Sequence, residues 1–186
     1  MKNDEKVNKK IITIITVIYM IILVWVVVFK CNYNEGLHIE TNRTMTILER
    51  LNYKAIPFEK FIEAIKGGGV LAVVEMIALV FNVVCFLPFG AFLRFFTDKK
   101  WKIVAIGALA SLGIETFQLF SCWGGPDLID LVSNTLGVIV GICMYDSIAP
   151  KLSGKTINNL AFWGSVVIFP FMIFAVINSI INFPGF

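Results

Sequence analysis

Residues 11–29 read IITIITVIYMIILVWVVVF, a run of 19 without one charged side chain. As an α-helix rising about 1.5 Å per residue, such a run crosses the roughly 30 Å hydrocarbon layer of a bilayer. Lysines precede it, as in a secretory signal, but it outlasts the usual apolar core of about 7–15 residues and no small-x-small cleavage site follows. The stretch is therefore expected to remain as a first membrane span.

Outward from it, four further apolar runs stand at residues 70–93, 103–121, 129–150 and 160–181, parted by short polar segments. The sequence thus predicts an all-α integral membrane protein with about five transmembrane helices. Composition agrees. Of the 186 residues 58% are hydrophobic and 16% charged, with a mean hydropathy of +0.82, more apolar than a water-soluble domain of this size tolerates. The 17 Phe and 4 Trp suit surfaces against lipid tails and interfaces. One membrane domain is expected over residues 11–150, after a cytoplasmic stretch at 1–10. Residues 151–186 add a cytoplasmic loop and the fifth helix.

Charge distribution sets the expected orientation. Lys and Arg number four in residues 1–10, four in 94–102 and two in 151–155, all on one side of a five-span layout. That side is expected to be cytoplasmic, which places the C-terminus outside. Residues 30–69 form a long outer segment whose six Lys and Arg are offset by five Glu, and residues 121–128 carry no Lys or Arg. A net charge of +3, without a basic stretch interleaved with aromatics, argues against a nucleic-acid partner and leaves membrane lipids as the expected surroundings.

Within the outer segment, Phe58, Phe61, Ile62 and Ile65 recur at helical spacing opposite Glu59, Lys60, Glu63 and Lys66. Pro57 suits the start of such a helix and Gly67 its end. The pattern predicts a short extracytoplasmic helix, either lying in the interface or packed on the bundle as an ordinary loop helix. Gly67-Gly68-Gly69 would turn the chain into the second span. Cys31 and Cys122 fall near the same outer face, so a disulfide between them stands beside plain apolar packing. None of the four cysteines has zinc-ligand spacing, and His38, the one histidine, reads as a solvated surface residue.

Ionisable groups in hydrocarbon cost roughly 2.5–3.5 kcal/mol each on insertion scales, so those retained usually face the bundle or one another. Here the second run keeps Glu75 and Asn82, the third keeps Glu115 and Gln118, and the fourth opens with Asp127, Asp130 and Asn134. At about 1.5 Å per residue, Glu75, Glu115 and Asn134 fall roughly 7–11 Å below the outer boundary, with Gln118, Asp127 and Asp130 nearer to it. Glu115 and Gln118 share a helix face, as do Asp127, Asp130 and Asn134. The pattern points to a polar pocket that opens outward.

Plainer readings stand beside this one. Asp127 follows Pro126 and suits a helix cap, a role Asp130 shares in part. Asn82, Gln118 and Asn134 suit hydrogen bonding between helices. Glu115 lies six residues inside its span and needs a proton, a cation or an Arg partner, for which Arg43 and Arg50 are the candidates. Pro88 and Gly90 are expected to kink the second span, and Gly137 and Gly141 to form a small-xxx-small packing face.

Taken in order, these residues resemble the VanZ-like family. The likeness is carried by Trp25 and Phe29-Lys30, by Arg50, Asn52 and Pro57-Phe58, and by Asn82 before Phe86-Leu87-Pro88-Phe89-Gly90. Glu115 with Gln118, then Asp127, Asp130, Asn134-Thr135, Gly137 and Gly141 extend it over residues 23–141. Many members carry an Arg shortly before the first Asp of the fourth span, where this chain has Gly124-Gly125-Pro126. Arg43 or Arg50 would take its place. The resemblance implies a bacterial plasma-membrane protein, and the family's namesake is linked to low-level resistance to teicoplanin, a lipid-tailed glycopeptide.

The leading reading is a non-enzymatic cell-envelope protein, without a cofactor, that contributes to glycopeptide resistance. Its outward pocket would bind a lipid-tailed glycopeptide or a lipid-linked cell-wall precursor. The alternative is an intramembrane enzyme modifying an envelope lipid, with Glu115 as general base or, with Asp127 and Asp130, as a ligand of a divalent cation. A single His and the lack of a Ser-His-Asp pattern or a glycine-rich phosphate loop weigh against it. A small transporter would need polar residues along the inner halves of the spans, where few occur.

Overall fold

A computed structural model describes residues 7–28, 44–49, 62, 65–121 and 127–182. Cys31, Cys122, His38, Arg43, Arg50 and most of the expected interfacial helix, including Pro57, Phe58, Phe61 and Glu63, lie outside them. The described elements are helical: α1 (Lys9–Val28), α2 (Gly69–Phe96), α3 (Lys100–Ser121) and α4 (Leu128–Ile148), then a 3-10 turn (Ala149–Lys151) and α5 (Gly154–Asn182). All five helices are long and apolar enough to cross a membrane.

The helices outrun the apolar runs that announced them. α2 has 28 residues, about 42 Å of helix against a hydrocarbon layer of about 30 Å. Hydropathy marks only the part of a helix that sits in hydrocarbon, whereas backbone hydrogen bonding carries on into the interface. α5 likewise starts at Gly154, ahead of its apolar run.

Burial is arranged as a bilayer requires, with apolar side chains outward and polar ones inward. Ile21, Val70, Leu109 and Val167 are exposed, while Asn82, Ser111 and Asn134 are fully buried. Lipid is as apolar as leucine, so these helices gain little from apolar burial against one another and associate through close packing and hydrogen bonds. The packed core holds Tyr19, Leu23, Val27, Phe86, Ile103 and Val138.

α2 and α4 form the closest pair, and glycines make this approach possible. A Cβ at Gly141 would lie 2.0 Å from the Leu87 carbonyl oxygen, and one at Gly137 would lie 2.4 Å from that of Val83. Gly90 of α2 repeats the arrangement against the Val138 carbonyl, at 2.1 Å. The small-xxx-small face therefore meets backbone, which cannot move aside as a side chain could. α2 continues through Pro88, and in the turn before it the Tyr19 hydroxyl donates to the Cys85 carbonyl. A residue on α1 thus bonds a carbonyl where proline disturbs the helix ladder.

The connections are set by local chemistry. Gly68 and Gly69 have φ of 64° and 73°, the left-handed region that glycine enters without steric cost, so the chain enters α2 where the triple glycine predicts a turn. Residues 65–67 and Ile62 are helical. Thr46 and Glu49 form a capping box: Glu49 N–H donates to Thr46 Oγ1 at 3.3 Å, and Thr46 N–H to Glu49 Oε2 at 2.7 Å. That backbone bond, with a second from the Thr46 hydroxyl, holds the Glu49 carboxyl below its ordinary range. At the opposite end of the bundle Arg94 Nε donates to Asp146 at 2.7 Å, and Lys100 reaches the other Asp146 oxygen at 2.6 Å. Arg94 also pairs with Asp98, so the short α2–α3 connection is pinned to α4. Lys9, Lys99, Lys102, Lys151 and Lys155 lie at this same basic end.

Candidate functional site

The polar residues of the spans gather near the end of the bundle opposite the lysines, and α3 is their axis. Its turns bring Ser111, Glu115 and Gln118, at spacings of four and three, onto one buried face. Each reaches a different neighbour. Gln118 Nε2 donates to the carbonyls of Val27 and Val28, both at 3.2 Å. Both carbonyls belong to the last described turn of α1.

Glu115 serves the opposite kind of helix end. Its Oε2 accepts the backbone N–H of Asp127 at 2.7 Å. Asp127 is in turn the N-cap of α4, its Oδ1 accepting from Ile129 N–H at 2.8 Å. Two carboxylates therefore meet the positive end of the α4 dipole, where negative charge is favoured. The capping reading of Asp127 is what the geometry shows. Glu115 lies at the level of the α4 start, although counting residues from the span boundary places it deeper than Asp127.

α4 carries the rest of the layer on two faces. Toward α2, Asn82 Nδ2 donates to Asp130 Oδ1 at 2.5 Å and to Ser133 Oγ at 3.1 Å. Toward α3, Asn134 Nδ2 donates to Ser111 Oγ at 2.9 Å. Ser111 and Ser133 thus complete the layer, although the sequence analysis did not single them out. Their signal was faint: Ser111 stands four residues before Glu115, and Ser133 three after Asp130. Glu75 stands apart. It is exposed on α2 and has no hydrogen-bond or ion-pair partner among the described residues.

Every amide in the layer has committed its N–H groups and kept its oxygen. Asn82 Oδ1, Gln118 Oε1 and Asn134 Oδ1 are buried and have no hydrogen-bond partner among the described residues. A buried polar atom left so costs about 1–3 kcal/mol, so each favours a donor from beyond the described side chains. The layer, with its carboxylates, is rich in acceptors and suits hydroxyl, amide N–H or ammonium groups. Among the described residues no group of three or more His, Cys, Asp or Glu is placed to hold a metal ion.

Comparison with known proteins bears on the same residues. The VanZ/LLP1 family model matches residues 16–149, most of the chain. The chain belongs to the VanZ/LLP1 family. Protein VanZ of Enterococcus faecium is 26% identical over 147 residues, covering 76% of this chain and 74% of that protein. No solved structure matches. The VanZ/LLP1 match runs from Thr16 in α1 through the whole of α4, so it contains every residue of the polar layer, and α5 lies beyond it. With its five long apolar helices, the chain is a multi-pass membrane protein of this family.

Proposed function

We propose that this VanZ/LLP1 protein contributes to resistance against glycopeptides of the teicoplanin type by binding a lipid-tailed or lipid-linked envelope molecule at the polar layer of α2, α3 and α4. The reading is carried by the buried oxygens of Asn82, Gln118 and Asn134, which have no hydrogen-bond partner among the described residues, beside the carboxylates of Glu115 and Asp130. Such a layer favours a donor-rich head group, and the apolar outer faces of the helices leave the attached tail in lipid. The reading places the basic end in the cytoplasm, by the excess of Lys and Arg there, and the polar layer toward the outside.

Resistance then arises from sequestration of the ligand or from blocked access to it, without a chemical step. The test is made in a susceptible bacterium expressing the full chain. Teicoplanin tolerance rises with the native protein, and Asp130→Asn and Glu115→Gln lose most of that protection at equal abundance in the membrane. Unchanged tolerance in both variants overturns the proposal.

A further inference from the structure

α1 and α5 both begin at the basic end, at Lys9 and Gly154, and they touch there: Asn8 N–H donates to Asn158 Oδ1 at 2.8 Å. Two parallel helices therefore set their N-termini side by side, each equivalent to about half a positive charge. Lys9 and Lys151 stand beside them, exposed and without an ion-pair partner among the described residues. Residues 7–28 and 149–182 contain no Asp or Glu, and the Asp146 carboxylate of α4 is already held by Arg94 and Lys100. Asp98, the other described carboxylate at this end, pairs with Arg94, which leaves the mouth electropositive.

Beneath it an apolar cleft separates α5 from the rest of the bundle. A cavity of about 260 Å³ is lined by Ile15, Phe92, Tyr145 and Gly164. A second space of about 860 Å³ is lined by Val26, Val80 and Met172. Tyr19 and Ile168 border both, so the two spaces lie end to end along α1 and α5. Along α1 they run from Ile12 to Val26, about 21 Å at 1.5 Å per residue, more than one leaflet's share, about 15 Å, of the hydrocarbon layer. The cleft exists because α5 packs chiefly on α1 and turns small residues toward α2. A Cβ added at Gly164 meets nothing within 4 Å.

Water finds too few polar partners along this cleft, and a peptide would leave its backbone groups unsatisfied. An acyl chain suits the walls, and the charge at the mouth selects its head group. We propose that the cleft binds one anionic phospholipid of the leaflet at the basic end, its phosphate between Lys9 and Lys151 and one acyl chain along Ile15, Tyr19 and Gly164. This site is separate from the polar layer and does not depend on the role proposed for it.

Native mass spectrometry of the full chain in detergent, titrated with phosphatidylglycerol or phosphatidylcholine, tests the assignment. The native protein retains one phosphatidylglycerol in preference to phosphatidylcholine. Lys9→Gln with Lys151→Gln weakens that retention roughly tenfold or more, since each lysine near an anionic head group contributes about a fivefold factor. Gly164→Leu fills the cleft and lowers retention of the same lipid in a protein whose thermal stability is unchanged. Equal retention of the two lipids overturns the proposal, as does loss in the lysine variant with full retention in Gly164→Leu, which would mean a surface association only.

Discussion

Glu115 Oε2 lies 2.7 Å from the backbone nitrogen of Asp127, so a carboxyl group six residues from the end of α3 closes the start of α4. The contact gives this buried carboxyl group a helix N-terminus to face instead of lipid. Three residues further along α3, Gln118 does the converse for the α1 carbonyls. One helix thus bonds α1 through Gln118 and the start of α4 through Glu115.

Glu115→Ala leaves the Asp127 N–H without this acceptor and is expected to destabilise the protein by about 1–3 kcal/mol. Glu115→Gln keeps an acceptor oxygen and gives up only the charge–dipole attraction, about 0.3–1 kcal/mol. Thermal unfolding of the purified protein in detergent compares the two. Equal losses would show that the charge, not the hydrogen bond, is what α4 requires.

Asn82 and Asp130 join α2 to α4 through a 2.5 Å bond. A double-mutant cycle with Asn82→Ala and Asp130→Ala should yield a coupling of about 0.6–1.7 kcal/mol, from the average to the maximum for polar pairs between membrane helices. A coupling of zero, with each single variant fully destabilising, would mean that the two side chains act through separate partners.

Gly141→Ala drives a methyl group into the Leu87 carbonyl, 2.0 Å away, and overpacking against rigid backbone costs about 1–3 kcal/mol. Gly113→Ala is the control. Nothing lies within 4 Å of its Cβ, so the substitution is neutral or gains up to about 1 kcal/mol of helix propensity. A similar loss in both would remove the close α2–α4 approach as the reason for glycine at Gly141.

Orientation is checked with fusions that report their compartment. A phosphatase that is active only outside the cytoplasm is expected to work when fused after Asn182 and to stay silent when inserted at Asp98. The reverse pattern would turn the polar layer toward the cytoplasm and remove its access to extracellular glycopeptides.

Much of the fold could be read from residue order. Span positions follow from length and hydropathy because the hydrocarbon layer has a fixed thickness and every backbone group in it must be bonded within the protein. The role of Gly137 and Gly141 was legible for a similar reason, since only a missing side chain lets two helix backbones touch. The Thr46–Glu49 capping box was equally available, as Thr-x-x-Glu, and was not read.

The pairing within the polar layer was not available in this way. Counting residues gives depth along a helix but not rotation about its axis, nor the level at which a neighbouring helix begins. Gln118 therefore reads as interhelical glue without its partners, the carbonyls of Val27 and Val28. Ser111 and Ser133 carry only a faint signal until Asn134 and Asn82 stand beside them, and Glu75, legible as a member, sits apart on an exposed face. The sequence by itself determined a helical, multi-pass membrane protein of the VanZ/LLP1 kind, because hydrophobic length is a local property. Tertiary structure alone decided which side chains close which helix ends and which oxygens stay open, because those bonds join residues that the chain brings together only after its helices have packed.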